Sequence, residues 1–301
     1  MRHWSVILFF AATVGYFISF VFYLLHTVLG SKKSSAAGSV LGIVASSSLL
    51  PRYGVDWGLL GSVFAWIAVV IGTAGVVTRA YELGDASNWI RRVFLPATST
   101  YETFTFMGWI IGLVYLLFER RYRLRQIGLF VIGASFVMLA AAASPVFAPS
   151  DIRPIVPSLD SIWLVVHVLF MLTGIACFTS GFGGTLFFLK QYYQKKESFP
   201  QAQLEEFMYR SIAIGFVFYF IGGFVFGPIW AENAWGRYWG FDPKEVGMMI
   251  AALTYAAYLH LRIVQGWRSL AVAWVAALGY FVVMFAWLGV NYFLGGLHSF
   301  V

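Results

Sequence analysis

The chain has 301 residues, of which 60% are hydrophobic and only 11% are charged, and its mean hydropathy is +0.78. Soluble domains contain about 25% charged residues, so this composition excludes an ordinary soluble protein. The net charge of +7 does not indicate a nucleic-acid partner, because the basic residues lie in short loops between apolar runs, as in membrane proteins. We therefore expect an all-α, polytopic integral membrane protein that forms one membrane domain over residues 1–301 and is surrounded by membrane lipid.

Eight segments are apolar enough to cross a bilayer as helices, which takes about 20 residues each. The first follows Arg2 and lacks a small-residue cleavage site, so we interpret it as a retained span and not as a signal peptide. The single cysteine, Cys177, lies in an apolar run and predicts neither a disulfide nor a redox pair. The predicted spans cover roughly residues 4–29, 57–78, 102–118, 127–146, 161–189, 211–229, 246–262 and 270–291.

The distribution of Lys and Arg predicts the orientation of these spans. If the even-numbered spans run outward, the inner loops hold 13 of the 20 basic residues, and every inner loop is basic. Both termini then lie on the outer face. Residues 230–245, the start of the fifth span and the C-terminal tail are expected on that same face.

Residues 230–245, between the sixth and seventh spans, read W-A-E-N-A-W-G-R-Y-W-G-F-D-P-K-E and are unusually rich in aromatic residues. One interpretation is an interfacial belt, in which Trp and Tyr anchor a helix end at headgroup level. The other is an apolar platform for a flat ligand, with Asn233, Arg237 and Lys244 available to the acidic groups of that ligand. The residues alone favour the two interpretations about equally.

The same segment resembles the tryptophan-rich WWD signature of the haem-handling proteins of cytochrome c assembly. Within that superfamily the chain is most similar to the CcsA/ResC type of the second cytochrome c maturation system. Four further motifs follow in the order and spacing of that family, and the resemblance extends from about residue 79 to the end. They are P-x-x-S-x-Y-E at 96–102, W-L-V-V-H at 163–167, Y-L-H-L-R at 258–262 and G-V-N-Y-F-L-G-G-L-H-S-F at 289–300.

Two positions depart from the family pattern. Phe241 stands where the family generally has Trp, so one indole is replaced while the aromatic face remains. Residues 246–249, V-G-M-M, replace a helix start that usually carries Trp. Either change is expected to alter haem affinity or dependence on a partner without abolishing a platform.

The resemblance implies a haem b site on the outer face, with His167 and His298 as the two axial ligands of the iron. His167 lies about six residues into the fifth span, about 9 Å from its outer end at 1.5 Å per residue, and His298 follows the eighth span. A lone intramembrane histidine is more often a packing residue, but two that approach the same unusual segment favour a ligand role. The remaining haem contacts implied are Trp230, Trp235, Arg237, Tyr238, Trp239, Phe241 and Asp242.

The other histidines have different expectations. His260 lies about 22 Å inward from Glu245 along the seventh span, so it is too far away for the outer haem. The resemblance implies that it holds a second haem iron near the inner face, with the other ligand supplied by a partner subunit. His26 has a comparable depth and remains an alternative partner for His260. His3 is expected on the surface.

Three acidic residues near the Trp-rich segment admit a structural interpretation. Asp242 followed by Pro243 is typical of a helix N-cap with proline at the first position, and we favour capping over chemistry for it. Glu232 and Glu245 are alternatives as caps or haem-edge contacts. Glu102, at the start of the third span, is expected to be structural.

The resemblance implies a holocytochrome c synthase subunit in a bacterial cytoplasmic or thylakoid membrane, with its Trp-rich segment on the periplasmic or lumenal side. It would bind haem b and, with a CcsB/ResB-type partner, attach it through thioether bonds to C-x-x-C-H of an apocytochrome c. The alternative is a haem transporter that delivers to a separate chaperone or ligase. A cytochrome b-like carrier is disfavoured, because no predicted span carries two histidines.

Overall fold

The computed structural model describes residues 3–36, 55–83, 99–152, 159–195, 199–268 and 270–294. Within these ranges the protein is helical, and eight helical segments are long and apolar enough to cross a membrane, which confirms the predicted all-α, polytopic fold. The helices are α1 (Trp4–Ala36), α2 (Trp57–Leu83), α3 (Thr100–Tyr122), α4 (Gly128–Ala142), α5 (Ile162–Gln194), α6 (Gln201–Ile221), α7 (Gly227–Trp235), α8 (Pro243–Ile263), α9 (Leu270–Met284) and α10 (Val290–Phe293).

Side-chain chemistry accounts for where several helices begin. The hydroxyl of Ser99 accepts the backbone N–H of Tyr101 at the start of α3, and Ser161 accepts that of Trp163 at the start of α5. These bonds satisfy N–H groups that have no partner inside the helix. Helices α3 and α5 end at Arg123 and Lys195, whose backbones adopt the left-handed conformation.

Two pairs of neighbouring spans show antiparallel packing directly. Between α1 and α2, Gly75 faces Phe9 and Gly58 faces His26, so one helix ascends as the other descends. The same inverse pairing joins α5 to the sixth span, where Phe207 of α6 faces Gly184 and Gly227 of α7 faces His167. As a result, the end of α7, the start of α8 and the start of α5 lie at one end of the bundle. We call this the Trp-rich end.

Helix α5 lies at the centre of the bundle and packs against α3, α4, α6, α7 and α9. Its contact with α6 is unusually close at Gly174, where an added Cβ would lie 2.9 Å from both the Gly215 carbonyl oxygen and the Tyr219 backbone nitrogen. Helices in lipid associate through van der Waals packing and hydrogen bonds, which favours small residues at such crossings. Gly174 therefore allows the close packing of α5 against α6.

Two of the spans contain a π-helical turn, in which backbone hydrogen bonds run from i+5 to i. Gly222–Phe226 joins α6 to α7, and Phe285–Gly289 joins α9 to α10. Each turn contains one residue more than a regular helical turn, so the side chains after it are rotated relative to those before it. Such turns occur frequently at functional sites.

The structure changes the extent of several predicted elements. The sixth span runs over Gln201–Trp235, longer at both ends than the 211–229 predicted from hydropathy. The first six residues of the predicted outer loop, 230–235, are consequently helical, and the true loop is the short segment 236–242. Hydropathy misses these ends because polar residues such as Glu205 and Asn233 continue a helix beyond the apolar stretch.

A buried ion pair at the Trp-rich end joins α2 to α3. The Arg79 Nε and Nη2 donate to Glu102 Oε1 at 2.8 and 2.6 Å, and both side chains are almost fully buried. Arg79 Nη2 also donates to the Ser150 carbonyl oxygen at 2.8 Å, and the Ser99 hydroxyl donates to the second oxygen of Glu102. Glu102 is therefore structural, as the sequence indicated.

We expect Arg79→Leu to lower the free energy of unfolding by about 3–5 kcal/mol, because it leaves the Glu102 carboxylate buried without its cation. The double variant Arg79→Leu/Glu102→Leu should lose less. As a control, Arg210→Leu removes an exposed pair with Glu206 and should cost less than about 1 kcal/mol. Reversible unfolding in mixed micelles, followed by circular dichroism, measures all three. Equal losses for Arg79→Leu and Arg210→Leu would contradict the prediction.

Candidate ligand-binding site

A cavity opens at the Trp-rich end between α5, α7, α8 and the two π turns. Its volume is about 200 Å³, and it is open at its mouth. Its described wall is mostly apolar and aromatic, and His167 is part of it. The wall comprises Thr103, Leu159, Leu164, His167, Val168, Met171, Leu172, Ile175, Tyr219, Gly223, Gly227, Pro228, Trp230, Ala231, Tyr238, Trp239, Lys244, Glu245, Met248, Ala286 and Trp287.

His167 is held in a defined orientation. Its Nδ1 lies 2.8 Å from the carbonyl oxygen of Gly222, which can only accept a hydrogen bond. Nδ1 therefore carries the proton and donates it, and Nε2 is the nitrogen that keeps its lone pair. The ring lies nearly parallel to the indole of Trp230, with centroids 5.9 Å apart and planes at 15°.

The aromatic residues of the Trp-rich segment divide into two groups. Trp230 is buried against Leu159 and Leu164, and Trp235 packs edge-on against it with centroids 4.7 Å apart. Tyr238 and Trp239 come from the short loop and line the cavity, and Trp239 stacks on Phe224 of the first π turn at 5.7 Å. The segment thus both supports His167 and forms part of the cavity wall.

Phe241 and Arg237 belong to the same loop but are not among the described residues that line the cavity. The Phe241 side chain is 71% exposed and contacts the Trp239 ring edge-on at 6.1 Å. The Arg237 guanidinium folds back over Gly240, where an added Cβ would lie 2.7 Å from its Cζ. Both residues remain predicted haem contacts, and the described wall does not include them.

A buried carboxylate fixes the loop. Glu245 Oε2 accepts the backbone N–H groups of Gly240 at 2.8 Å and Asp242 at 3.1 Å, while the Asp242 carboxylate accepts the Glu245 N–H at 2.8 Å. Asp242 and Glu245 thus form a capping box at the start of α8, as the sequence indicated for Asp242. Between the two clamped N–H groups, Phe241 has a φ of 54°, a conformation that costs a bulky residue about 1–3 kcal/mol.

Sequence reasoning missed several wall residues. Met248, within the V-G-M-M departure, packs beside Gly223 and lines the cavity in the helix where the family usually has Trp. Trp287 and Ala286 belong to the second π turn and reach the cavity from the last span. Thr103 reaches it from α3. No local motif marked Thr103, Ala286 or Trp287, because each comes to the site through tertiary packing.

The remaining histidines lie elsewhere or outside the described residues. His260 is exposed near the end of α8, at the end of the bundle opposite the cavity. His26 instead faces Gly58 of α2, and α1 packs mainly against α2 and α4, whereas α8 packs against α6 and α9. His298, the second predicted outer ligand, lies outside the described residues. Within those residues, no cluster of three or more His, Cys, Asp or Glu side chains is arranged to hold a bare metal ion.

Comparison with known proteins identifies the family. The sequence profile of the cytochrome C assembly protein family matches residues 97–298, about two thirds of the chain. The chain belongs to this family. It is similar to three proteins named cytochrome c biogenesis protein CcsA. The protein from Chlamydomonas reinhardtii is 34% identical over 70% of the chain and 62% of its own length, so the chain spans less than two thirds of that relative.

The other two relatives are covered more fully. The Mesostigma viride protein is 32% identical over 78% of the chain and 87% of its own length. The Prochlorococcus marinus (strain MIT 9312) protein is 31% identical over 87% of the chain and 94% of its own length. The family profile includes α3 to α10, and therefore every described residue of the cavity wall.

Proposed function

We propose that the chain binds haem b in the cavity at the Trp-rich end and, with a CcsB/ResB-type partner, promotes its covalent attachment to apocytochromes c. The observation that carries this proposal is the orientation of His167, whose Nδ1 is hydrogen-bonded to a carbonyl so that Nε2 keeps the lone pair an iron needs. Membership of the cytochrome c assembly family supports the same conclusion.

The described cavity fits haem in its chemistry. Its wall is apolar and aromatic, which suits a macrocycle, and a single imidazole from the wall suits one axial position of an iron already held by four ring nitrogens. The absence of a multi-residue metal cluster among the described residues is no obstacle, because haem brings four of its six ligands. His298 is proposed as the second axial ligand.

In this proposal the protein orients haem and provides little acid–base chemistry. Each thiol of the apocytochrome C-x-x-C-H segment adds across one vinyl group. Sulfur bonds to the carbon next to the ring and hydrogen goes to the terminal carbon. The addition has no leaving group and no net oxidation. The role of the protein is to keep the vinyl edge accessible to the thiols and the iron reduced. The histidine of the segment then replaces one protein ligand on the iron.

The proposal includes a separate inner site at His260. An exposed imidazole on a membrane span is costly and is a functional candidate by default. We propose that His260 binds haem near the inner face with a second ligand from the partner protein, before the haem moves to the outer site. The orientation proposed is that of the Lys and Arg distribution, with the Trp-rich end outward.

We expect the purified protein, with its partner, to carry b-type haem with a bis-histidine spectrum. His167→Ala or His298→Ala should lose the outer haem or make its binding depend on added imidazole, since each removes one axial ligand. His3→Ala, a histidine that lies beside Glu82, serves as the control and should leave haem unchanged. Normal haem content and normal cytochrome c output in both ligand variants would contradict the assignment.

Lys244 is the proposed contact for a haem propionate. Among the described wall residues, Lys244 carries the cationic side chain, whereas Glu245 is an anion and its carboxylate accepts backbone N–H groups. Hydrogen bonds to charged groups are worth about 1.5–3 kcal/mol, which corresponds to at least about tenfold in affinity. Lys244 is therefore the wall residue suited to recognise an anionic edge.

We expect Lys244→Met to weaken haem binding about tenfold while leaving the affinity for haem dimethyl ester unchanged, because the ester lacks the propionate charge. Titration of both porphyrins into the purified protein, followed by absorbance, measures the two affinities. The matched control is Lys190→Met, which removes an exposed cation at the opposite end of α5. Equal losses for haem and its ester would assign Lys244 a structural role.

The alternative function, haem transport without attachment, differs in its product. We expect co-expression of the chain, its partner and a c-type apocytochrome, in a host that lacks its own pathway, to yield covalently bound haem. A haem stain after denaturing electrophoresis detects it, and omission of the chain is the control. Haem that is bound but never attached would favour the transporter.

A further inference from the structure

The first π turn supplies the group that holds His167. The carbonyl oxygen of Gly222 accepts the N–H of Gly227, the bond that defines the turn, and it also lies 2.8 Å from His167 Nδ1. A carbonyl oxygen has two lone pairs, so one atom serves both the helix and the histidine. In a regular α-helix the same oxygen would pair with the N–H of Phe226.

Two glycines permit this approach. A Cβ at Gly227 would lie 3.1 Å from His167 Nδ1 and 3.2 Å from its Cε1, so the imidazole would have to move. A Cβ at Gly222 would lie 2.9 Å from the Cβ of Phe170 and 3.0 Å from the backbone nitrogen of Met171. The π turn therefore sits directly against α5 at the position of His167.

We propose that the Gly222 carbonyl, presented by the π turn, is a positioning group that fixes His167 with Nδ1 protonated and strengthens Nε2 as a ligand to haem iron. This inference rests on the proposed haem binding at His167. Hydrogen-bonded second partners raise the basicity of ligating histidines, and their loss typically costs about 10- to 100-fold in metal affinity. The π turn then affects the reduction potential of the bound iron and also shapes the cavity.

A purely structural role for the contact makes a different prediction. If the hydrogen bond only packs α5 against α6, its loss would change stability but not the electron donation of the ligand. A positioning role changes the reduction potential of the bound iron, because a ligand that donates its second N–H to a carbonyl is a stronger donor and favours the ferric state. The reduction potential therefore separates the two roles.

The sharpest test replaces the side chain and keeps the carbonyl. In His167→Gly, imidazole supplied in solution can bind iron through one nitrogen and donate its N–H to Gly222. The compound 1-methylimidazole binds iron equally well in principle but has no N–H to donate. We expect imidazole to restore the outer haem at about 10- to 100-fold lower concentration than 1-methylimidazole and to give a lower reduction potential.

The control is the same pair of compounds with haem in detergent micelles, which reports their intrinsic difference. If 1-methylimidazole binds more weakly only because its methyl group is bulky, binding weakens in both oxidation states of the iron. The reduction potential then stays unchanged. The inference would be overturned if the two compounds differed no more in the protein than in micelles, both in the concentration needed for haem binding and in the reduction potential. That outcome would leave the haem site intact. Failure of the wild-type protein to bind haem would instead overturn the proposed function.

A second variant tests the close contact between the π turn and the His167 imidazole. Gly227→Ala should displace the imidazole from the carbonyl, raise the reduction potential of the bound iron and weaken haem binding about tenfold. The matched control is Gly133→Ala in α4, where the added Cβ meets only the Phe20 ring at 3.3 Å, away from the cavity. Identical potentials in Gly227→Ala, Gly133→Ala and the wild type would overturn the inference.

Discussion

The close contact between α5 and α6 is the constraint on which the Trp-rich end depends. Lipid provides no hydrophobic force between helices, so this contact relies on van der Waals packing and hydrogen bonds, which small residues permit. Gly174 allows the two backbones to touch, and farther along the same crossing Gly227 allows His167 to meet the π turn. A side chain at Gly174 would force the two backbones apart, and a Cβ at Gly227 would press on the imidazole at 3.1 Å.

Irregular backbone inside a membrane protein has a strict condition. A polar group without a partner costs several kcal/mol in hydrocarbon, so departures from the α-helix persist only where they are buried or line a cavity. Both π turns meet this condition at the same place, because Gly223 of the first and Ala286 and Trp287 of the second line one cavity. The first turn rotates the residues that follow it, which brings Trp230 onto His167. The second turn itself contains Trp287, which lies in the wall.

The sequence predicted the eight spans, the capping role of Asp242 and the presence of His167 beside the Trp-rich segment. Hydropathy and capping chemistry are local, so a single sequence carries them. The π turns were not predictable, because the extra residue that each turn holds does not alter the apolar composition by which a span is recognised. The partner of His167 was missed for a related reason, since a backbone carbonyl has no signature in the sequence. The helical state of residues 230–235 was missed because polar residues there resemble a loop.

The two intramembrane histidines proposed as ligands have contrasting surroundings. The contrast indicates which of the proposed haem ligands is held in place without the partner. His167 has its tautomer and ring plane determined by groups of the same chain, Gly222 and Trp230. His260 is exposed on the opposite part of α8, where the fold leaves its side chain open to a neighbour. A preorganised ligand binds without first being ordered, whereas an exposed one needs a second component to fix it. The His167 side of the proposed outer site is therefore preformed within this chain, and the proposed inner site depends on assembly with the partner.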